Sequence, residues 1–135
     1  MSQQVRHLSV SIAAPFERAY AFARQPDNFP RWAAGMSTAL HHDGDHWVAD
    51  TPQGQAVVLF TPPNDFGILD HHVQLAGQDD IYIPLRMIAH GTGTEVIFTL
   101  LRQPAMDDAA FEADAQAVIA DLHRLKALLE DEGVG

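Results

Sequence analysis

The sequence predicts an α+β fold: an antiparallel sheet of seven strands, two short helices after the first strand, and one long helix near the C-terminal end. Residues 8–12 alternate apolar and polar side chains, as a half-buried strand does. Short apolar runs separated by Gly, Pro, Asn and Asp continue from residue 36 to residue 102. From Phe111 onward, apolar residues recur at the spacing that places them on one face of an α-helix. The predicted order is therefore one strand, two helices, six strands and one long helix.

The first predicted helix is defined by a proline near each end. The strand with Leu8 and Ile12 leads into Pro15, which suits the first helical position because an N–H there has no intrahelical partner anyway. Pro26 ends the helix, since the residue before a proline is disfavoured in helical geometry. The second short helix carries Trp32.

Turn residues divide the middle of the chain into the other six strands. Hairpin turns are predicted at Asp43-Gly44, Gln53-Gly54 and Thr92-Gly93. The strands between the turns are predicted at 36–42, 46–51, 55–61, 67–75, 81–90 and 94–102. No internal repeat or linker interrupts them, so we expect one domain over residues 1–135.

The last element is predicted to be a long amphipathic helix. Its apolar residues lie on one helical face at Phe111, Ala115, Val118, Ile119, Leu122, Leu125 and Leu129. Asp107 is placed to cap its N-terminus, where acidic side chains are also favoured by the helix dipole.

Composition excludes several classes of function. The 135 residues are 47% hydrophobic, enough for one packed core, and 18 acidic against 8 basic residues give a net charge of −10. Nucleic acid is therefore not an expected partner, because no basic cluster follows a phosphate backbone. The absence of cysteine excludes disulfides and thiolate metal sites. No apolar run approaches the ~20 residues of a membrane span. We therefore expect no membrane insertion, and we expect a cytoplasmic location.

The N-terminal pattern, with Tyr20, Phe22, Asp27, Pro30 and Trp32 after the first strand, resembles the start of the polyketide cyclase/dehydrase and lipid-transport superfamily, also called SRPBCC or START-like. Two further blocks, residues 64–71 and 98–104, resemble recurrent segments of a bacterial polyketide cyclase-like subfamily. The resemblance implies the helix-grip fold, in which a curved sheet wraps the last helix and leaves a cavity between them. The superfamily includes carriers, receptors and cyclases, so the fold selects no reaction.

Strand alternation and turn positions indicate which residues face that cavity. The predicted turns place Leu40 opposite Trp47, Ala49 opposite Val58 and Met87 opposite Phe98 on the concave face. The predicted ligand-binding residues are His71, Arg102, Trp32, Trp47, Leu69, Val73, Leu85, Met87, Phe98, Leu100, Val118 and Leu122. All of them except His71 and Arg102 are largely apolar, as is usual for the lining of a small-molecule pocket.

Three of these residues have alternative interpretations. His71 is either a core histidine hydrogen-bonded to a backbone carbonyl or a tyrosine, or a neutral imidazole that orients a ligand or transfers a proton. Arg102 either pairs at the sheet rim with Asp107 or Asp108, or points inward toward a ligand carboxylate or enolate. Trp32 either closes the core or contacts a ligand.

No metal or cofactor is expected. Adjacent histidines such as His71 and His72 point to opposite faces of a strand and cannot chelate one ion together. His41 and His46 could face each other across a hairpin, but two exposed imidazoles form a weak site at best. No phosphate-binding glycine loop or nucleophile elbow occurs.

Two functions follow as hypotheses. The favoured one is the binding of a small hydrophobic or amphipathic molecule between the sheet and the C-terminal helix. The alternative is a cyclase or dehydratase acting on an aromatic or polyketide-like substrate, which requires a second ionisable group beside His71. Outward apolar residues Val48, Val57 and Leu59 also suggest a homodimer.

Overall fold

The computed structural model describes residues 4–33, 40–44, 46–51 and 54–132. The strands are β1 (Val5–Ile12), β2 (Leu40–Asp43), β3 (His46–Thr51), β4 (Gly54–Phe60), β5 (His71–Leu75), β6 (Ile81–Ile83), β7 (Leu85–His90) and β8 (Gly93–Leu101). The helices are α1 (Phe16–Ala23), α2 (Phe29–Trp32) and α3 (Asp108–Glu132), with a 3-10 turn at Pro26–Asn28 between the first two. The α+β class and the predicted element order are confirmed. The predicted strand at 36–42 begins at Leu40, and its earlier part lies outside the described residues.

The eight strands form two antiparallel sheets in the order β1-β8-β7 and β2-β3-β4-β5-β6. The count exceeds the predicted seven because the expected strand at 81–90 is broken at Pro84. Proline has no N–H for a sheet ladder, so the two halves on either side pair with different neighbours, β6 with β5 and β7 with β8. The Pro84 carbonyl still accepts a 3.0 Å hydrogen bond from the Thr99 N–H. The two sheets therefore meet at this proline.

The predicted hairpin registers are wrong by two residues, whereas the predicted faces are right. Leu40 lies opposite Ala49 instead of Trp47. The pairs β3–β4 and β7–β8 are displaced from their predicted registers by the same amount. A shift of two residues keeps every side chain on its face, since side chains alternate with a period of two. The apolar wall is therefore as expected, although its members have different neighbours.

The loop between β4 and β5 replaces the first half of the strand predicted at 67–75. The Asn64 side chain organises it: Oδ1 accepts hydrogen bonds from the N–H groups of Phe66 (2.9 Å) and Ile68 (3.1 Å). Gly67 follows with φ of +71°, and a Cβ there would overlap the Met87 carbonyl oxygen. Only glycine combines this backbone conformation with so close an approach. The structure of this loop thus explains why Asn64 and Gly67 occur in the segment 64–71, which resembles a recurrent family segment.

The core lies between α3, the α1–α2 segment and the β1-β8-β7 sheet. Helix α3 begins as predicted, because Asp107 Oδ1 accepts a 2.8 Å hydrogen bond from the Ala110 N–H. Its apolar face is buried, with Leu125 and Leu129 fully enclosed. No helix in the described part of the chain is long and apolar enough to cross a membrane.

Candidate functional site

A small pocket lies where the α1–α2 segment meets the β4, β5 and β7 strands. Its volume is about 10 Å³. It is lined by Ala23, Arg24, Phe29, Trp32, Phe60, Thr61, Leu69, His71 and Leu85. Arg24 is exposed, and Phe60 and Thr61 are half-buried, so these three form the outer end. The base is buried and almost entirely apolar.

His71 is the buried polar residue at the base. As the first residue of β5 it lies opposite Phe60, and its side chain is 2% exposed. Its Nδ1 lies 3.1 Å from the Leu69 carbonyl oxygen, and its ring contacts those of Phe29 and Phe60, with centroids 5.4 and 5.7 Å away. Burial lowers the pKa of the imidazole, although the Leu69 carbonyl partly opposes this effect. The imidazole is therefore neutral near pH 7.

Trp32 forms another part of the base. Its ring lies edge-on to Phe29 at a centroid distance of 5.1 Å and is 2% exposed. Helix α2 is held to α3 by a 2.8 Å hydrogen bond from Arg124 Nη1 to the Trp32 carbonyl oxygen. The indole Nε1–H is buried and has no hydrogen-bond acceptor among the described residues. The base thus contains a second residue with a polar atom, and the rings of Trp32 and His71 both contact Phe29.

Arg102 lies at the sheet rim, away from this pocket. Its guanidinium donates to the Met106 carbonyl oxygen at 2.9 and 3.1 Å, to Asp108 at 2.8 Å and to the Gln4 side chain. It also lies over the Phe111 ring, 5.5 Å from its centroid. These contacts correspond to the rim ion pair rather than to an inward guanidinium. His71 and Arg102 therefore do not share one end of a cavity.

The other predicted site residues fall into three groups. Leu69 and Leu85 line the pocket with Trp32 and His71. Five others pack in the main core and do not line the pocket: Met87, Phe98, Leu100, Val118 and Leu122. Trp47 and Val73 lie in another row of the five-stranded sheet, where Trp47 is half-exposed and packs on His42 with ring centroids 4.9 Å apart. The structure thus brings together four of the twelve predicted residues.

Phe29 is the main pocket residue that the sequence reasoning missed. It contacts the rings of Trp32, Phe60 and His71, so it lies at the centre of the aromatic cluster. A signal was present, because Phe29 precedes Trp32 by three residues, a spacing that places both on one side of a helical turn. Phe60, which lies opposite His71, was likewise not among the predicted ligand-binding residues.

A second polar cluster lies on the outer side of the sheet. Asp70 accepts hydrogen bonds from Arg86 (2.7 and 2.8 Å), the Tyr82 hydroxyl (2.6 Å) and the Leu85 N–H (2.9 Å). Burial alone would raise the pKa of the Asp70 carboxyl, but these hydrogen bonds outweigh it and hold the pKa at about 2. The cluster fastens β5 to the break between β6 and β7. It borders an open surface pocket of about 420 Å³.

The described residues place no group of three or more His, Asp or Glu where it could hold a metal ion. The hairpin expected to bring His41 and His46 together pairs them differently. His41 lies opposite Val48, and His46 lies opposite Asp43. Both imidazoles are exposed.

Comparison with known proteins identifies the fold. No family model matches the chain, and no curated protein matches it. A START superfamily protein from Mycobacterium smegmatis aligns with a TM-score of 0.70 at 12% identity, over 97% of this chain and 99% of that one. The Aha1 dimer from Colwellia psychrerythraea aligns with a TM-score of 0.70 at 17% identity, over 94% of this chain and 96% of that one.

DynU16, a protein of the dynemicin biosynthetic locus, is a third structural neighbour. It aligns with a TM-score of 0.70 at 14% identity, and the match covers 96% of this chain but 48% of DynU16. Identities this low show a shared fold and carry no activity from one protein to another. The protein therefore has the helix-grip fold that these structural neighbours share.

Proposed function

We propose that this protein binds a small hydrophobic or amphipathic molecule in the pocket between the α1–α2 segment and the sheet. The observation that carries the proposal is the composition of this pocket: a cluster of aromatic and aliphatic side chains surrounds one neutral imidazole, and its outer end reaches the surface. Ligand pockets are typically apolar, with a few polar groups that fix orientation. The site is thus displaced from the predicted one, because no residue of α3 lines it.

A ligand larger than a water molecule requires a side chain to move, because the pocket holds about 10 Å³. Phe60 is the best candidate, since it is half-buried at the outer end while Phe29 and Trp32 are buried. A ligand ring would then take the place of the Phe60 ring against Phe29 and His71. Enclosing ~200 Å² of apolar ligand surface contributes about 5 kcal/mol before association costs, so burial supplies most of the affinity.

Nothing in the described part of the chain favours the alternative, a cyclase or dehydratase. The His71 ring contacts Phe29, Phe60 and the Leu69 carbonyl. The charged residue that shares its pocket is Arg24, which is exposed at the outer end. An acid–base mechanism needs a second group within hydrogen-bond reach of the reacting atoms. Binding is therefore the function that the geometry supports.

Binding can be tested with an apolar probe and an internal reporter. In a Trp47→Phe variant Trp32 is the remaining one of two tryptophans, so its fluorescence reports on the pocket. Titration with 4-ethyltoluene should change the Trp32 emission saturably, and Phe60→Ala should strengthen binding because it removes the ring that must move. Leu59→Ala is the matched control, since Leu59 is the neighbour of Phe60 on the outer face.

Native mass spectrometry of the freshly purified protein complements the titration by looking for a co-purified small molecule. The proposal fails if no molecule co-purifies and the Trp32 emission does not respond to 4-ethyltoluene, either in the Trp47→Phe variant or in that variant with Phe60→Ala added. It also fails if Leu59→Ala changes probe binding as much as Phe60→Ala does.

We also propose a homodimer formed through the outward face of β3 and β4. Val57 and Leu59 are half-buried there, and an outward sheet face usually carries polar residues. The strip is narrower than expected, because Val48 is 6% exposed and offers little surface. A cytoplasmic location stays a prediction from the sequence.

A further inference from the structure

The tautomer of His71 follows from its partner. The Leu69 carbonyl oxygen, 3.1 Å from Nδ1, can only accept a hydrogen bond. Nδ1 must therefore carry the proton and donate it. Because the buried ring is neutral, Nε2 has no proton and is a hydrogen-bond acceptor. The pocket base thus contains one acceptor with a defined identity.

The Trp32 indole supplies the complementary donor. Its Nε1–H can only donate, and it finds no acceptor among the described residues although Trp32 is 2% exposed. A buried donor without a partner costs about 1–3 kcal/mol, so such groups are rare in proteins and need an explanation. Trp32 and His71 both line the pocket, and both rings lie edge-on to Phe29 with interplanar angles of 83° and 82°.

We propose that the base of this pocket recognises a hydroxyl group attached to an aromatic or other apolar body, that is, a phenol, enol or alcohol. The hydroxyl oxygen accepts the hydrogen bond from Trp32 Nε1–H, and the hydroxyl proton is donated to His71 Nε2. The volume of about 10 Å³ is that of one water-sized group, which matches a hydroxyl. The inference rests on the proposed binding function and names the chemical class of its ligand.

Other polar groups match the base less well. A ketone or ether oxygen accepts from Trp32 but has no proton for His71. A carboxylate likewise has no proton to donate, and it would be desolvated beside a neutral imidazole with no cation at the base. A methyl group leaves both the indole N–H and the imidazole Nε2 unpaired. Only a group that accepts and donates at one atom satisfies both partners.

A matched set of ligands tests this inference. 4-Ethylphenol, 4-ethyltoluene and 4-ethylbenzoate share a 4-ethylphenyl ring. They differ in the group opposite the ethyl chain, which is a hydroxyl, a methyl and a carboxylate, respectively. We expect 4-ethylphenol to bind about tenfold more tightly than 4-ethyltoluene, the ratio that one to two net hydrogen bonds provide, and 4-ethylbenzoate to bind more weakly than 4-ethylphenol. Affinities are measured by calorimetry. The ¹⁵N–¹H cross-peak of the Trp32 indole should shift with 4-ethylphenol far more than with 4-ethyltoluene.

Two variants assign the effect to the two groups. Trp32→Phe removes the donor and His71→Phe removes the acceptor, while each keeps an aromatic ring in place. Both should bring the 4-ethylphenol to 4-ethyltoluene affinity ratio close to one, and circular dichroism together with a cooperative thermal unfolding transition reports whether each variant is folded. Trp47→Phe, outside the pocket, should keep the wild-type ratio.

Each outcome separates the two proposals. Equal binding of 4-ethylphenol and 4-ethyltoluene by the wild-type protein overturns the hydroxyl inference and leaves the binding function standing. A preference for 4-ethylphenol that survives both Trp32→Phe and His71→Phe also overturns it, since the hydroxyl would then lie elsewhere. Binding of none of the three ligands, with an unmoved indole cross-peak, overturns both proposals.

Discussion

At the scale of single residues, two adjacent polar residues where β5 begins point to opposite faces of the sheet and have different partners. Asp70 faces outward and is fully engaged by Arg86, Tyr82 and a backbone N–H. Its neighbour His71 faces inward, among aromatic rings, and uses one of its two ring nitrogens. Asp70 joins β5 to the break between β6 and β7, whereas His71 keeps one ring nitrogen without a hydrogen-bond partner among the described residues, the atom that our proposal assigns to a ligand.

The Asp70 carboxylate predicts a specific acid sensitivity. Its pKa falls from 3.8 to about 2 on folding, so ionised Asp70 stabilises the folded state above the unfolded pKa. This stabilisation, about 2 kcal/mol, should decline as pH falls below about 4 and be gone below about 2. Asp70→Asn should therefore be less stable at pH 7 and show a flatter dependence of stability on pH in this window.

Urea unfolding of wild type and Asp70→Asn at several pH values between 2 and 7 measures this effect. Asp108→Asn serves as the control, because Asp108 also pairs with an arginine but its side chain is 96% exposed, and exposed ion pairs contribute little. Parallel stability curves for wild type and Asp70→Asn below pH 4 would contradict the assignment.

At the scale of elements, two irregular segments shape the site. The break at Pro84 divides one long strand into β6 and β7. The loop before β5 lies along β7, to which it is joined by Asp70 and by the backbone of Gly67 and Leu69. The Leu69 N–H donates to the Leu85 carbonyl at 2.8 Å, and the Met87 N–H donates to the Gly67 carbonyl at 2.9 Å. The loop therefore replaces the missing sheet pairing and carries Leu69 and His71 into the pocket.

Gly67→Ala should disrupt this loop. The added Cβ overlaps the Met87 carbonyl oxygen and lies 3.0 Å from Phe16 Cε1, so backbone must move, and we expect a loss of about 3 kcal/mol or more. Gly77→Ala is the matched control: Gly77 has a similar φ of +76°, but a Cβ there meets nothing within 4 Å. Its cost should be the strain of the backbone alone, about 1 kcal/mol. Thermal and urea unfolding measure both, and equal losses would show that the close approach at Gly67 is unimportant.

At the scale of the whole molecule, the long helix is tied to the first strand. Lys126 Nζ donates to the Ser11 carbonyl oxygen at 2.7 Å, and the Ala13 N–H donates to Glu130 at 2.9 Å. These contacts cover part of the free edge of β1. An uncovered edge strand could pair with another chain. The apolar surface that we propose for association is the outward face of β3 and β4, where Val57 and Leu59 are half-buried.

Sedimentation over a range of concentrations tests the proposed dimer. We expect reversible dimers at high protein concentration, because an outward strip with Val57 and Leu59 gains from burial against a second copy. Leu59→Lys should abolish the dimer. Ile88→Lys should not, although Ile88 is 55% exposed, because it lies on the other sheet. A monomer at every concentration, or equal sensitivity to both substitutions, would rule out this interface.

The sequence by itself determined the element order, the face of each strand and the start of the long helix. Local physics is sufficient for these features. Alternation assigns His71 to the inward face whatever its partner is, and the Asp107 side chain caps the helix that follows it. The N-terminal pattern that ends in Pro30 and Trp32 likewise pointed to the fold that the structural neighbours share.

Only the tertiary structure decided the registers, the direction of Arg102 and the members of the pocket. A two-residue slip preserves the apolar pattern, so the pattern cannot choose between Ala49 and Trp47 as the partner of Leu40. Arg102 has two compatible environments, and the nearby Asp108 and Met106 carbonyl select the rim. Phe29 and Phe60 are 31 positions apart, and only packing of α2 against β4 brings them together around His71. Contacts between distant segments depend on the whole fold, and no local pattern encodes them.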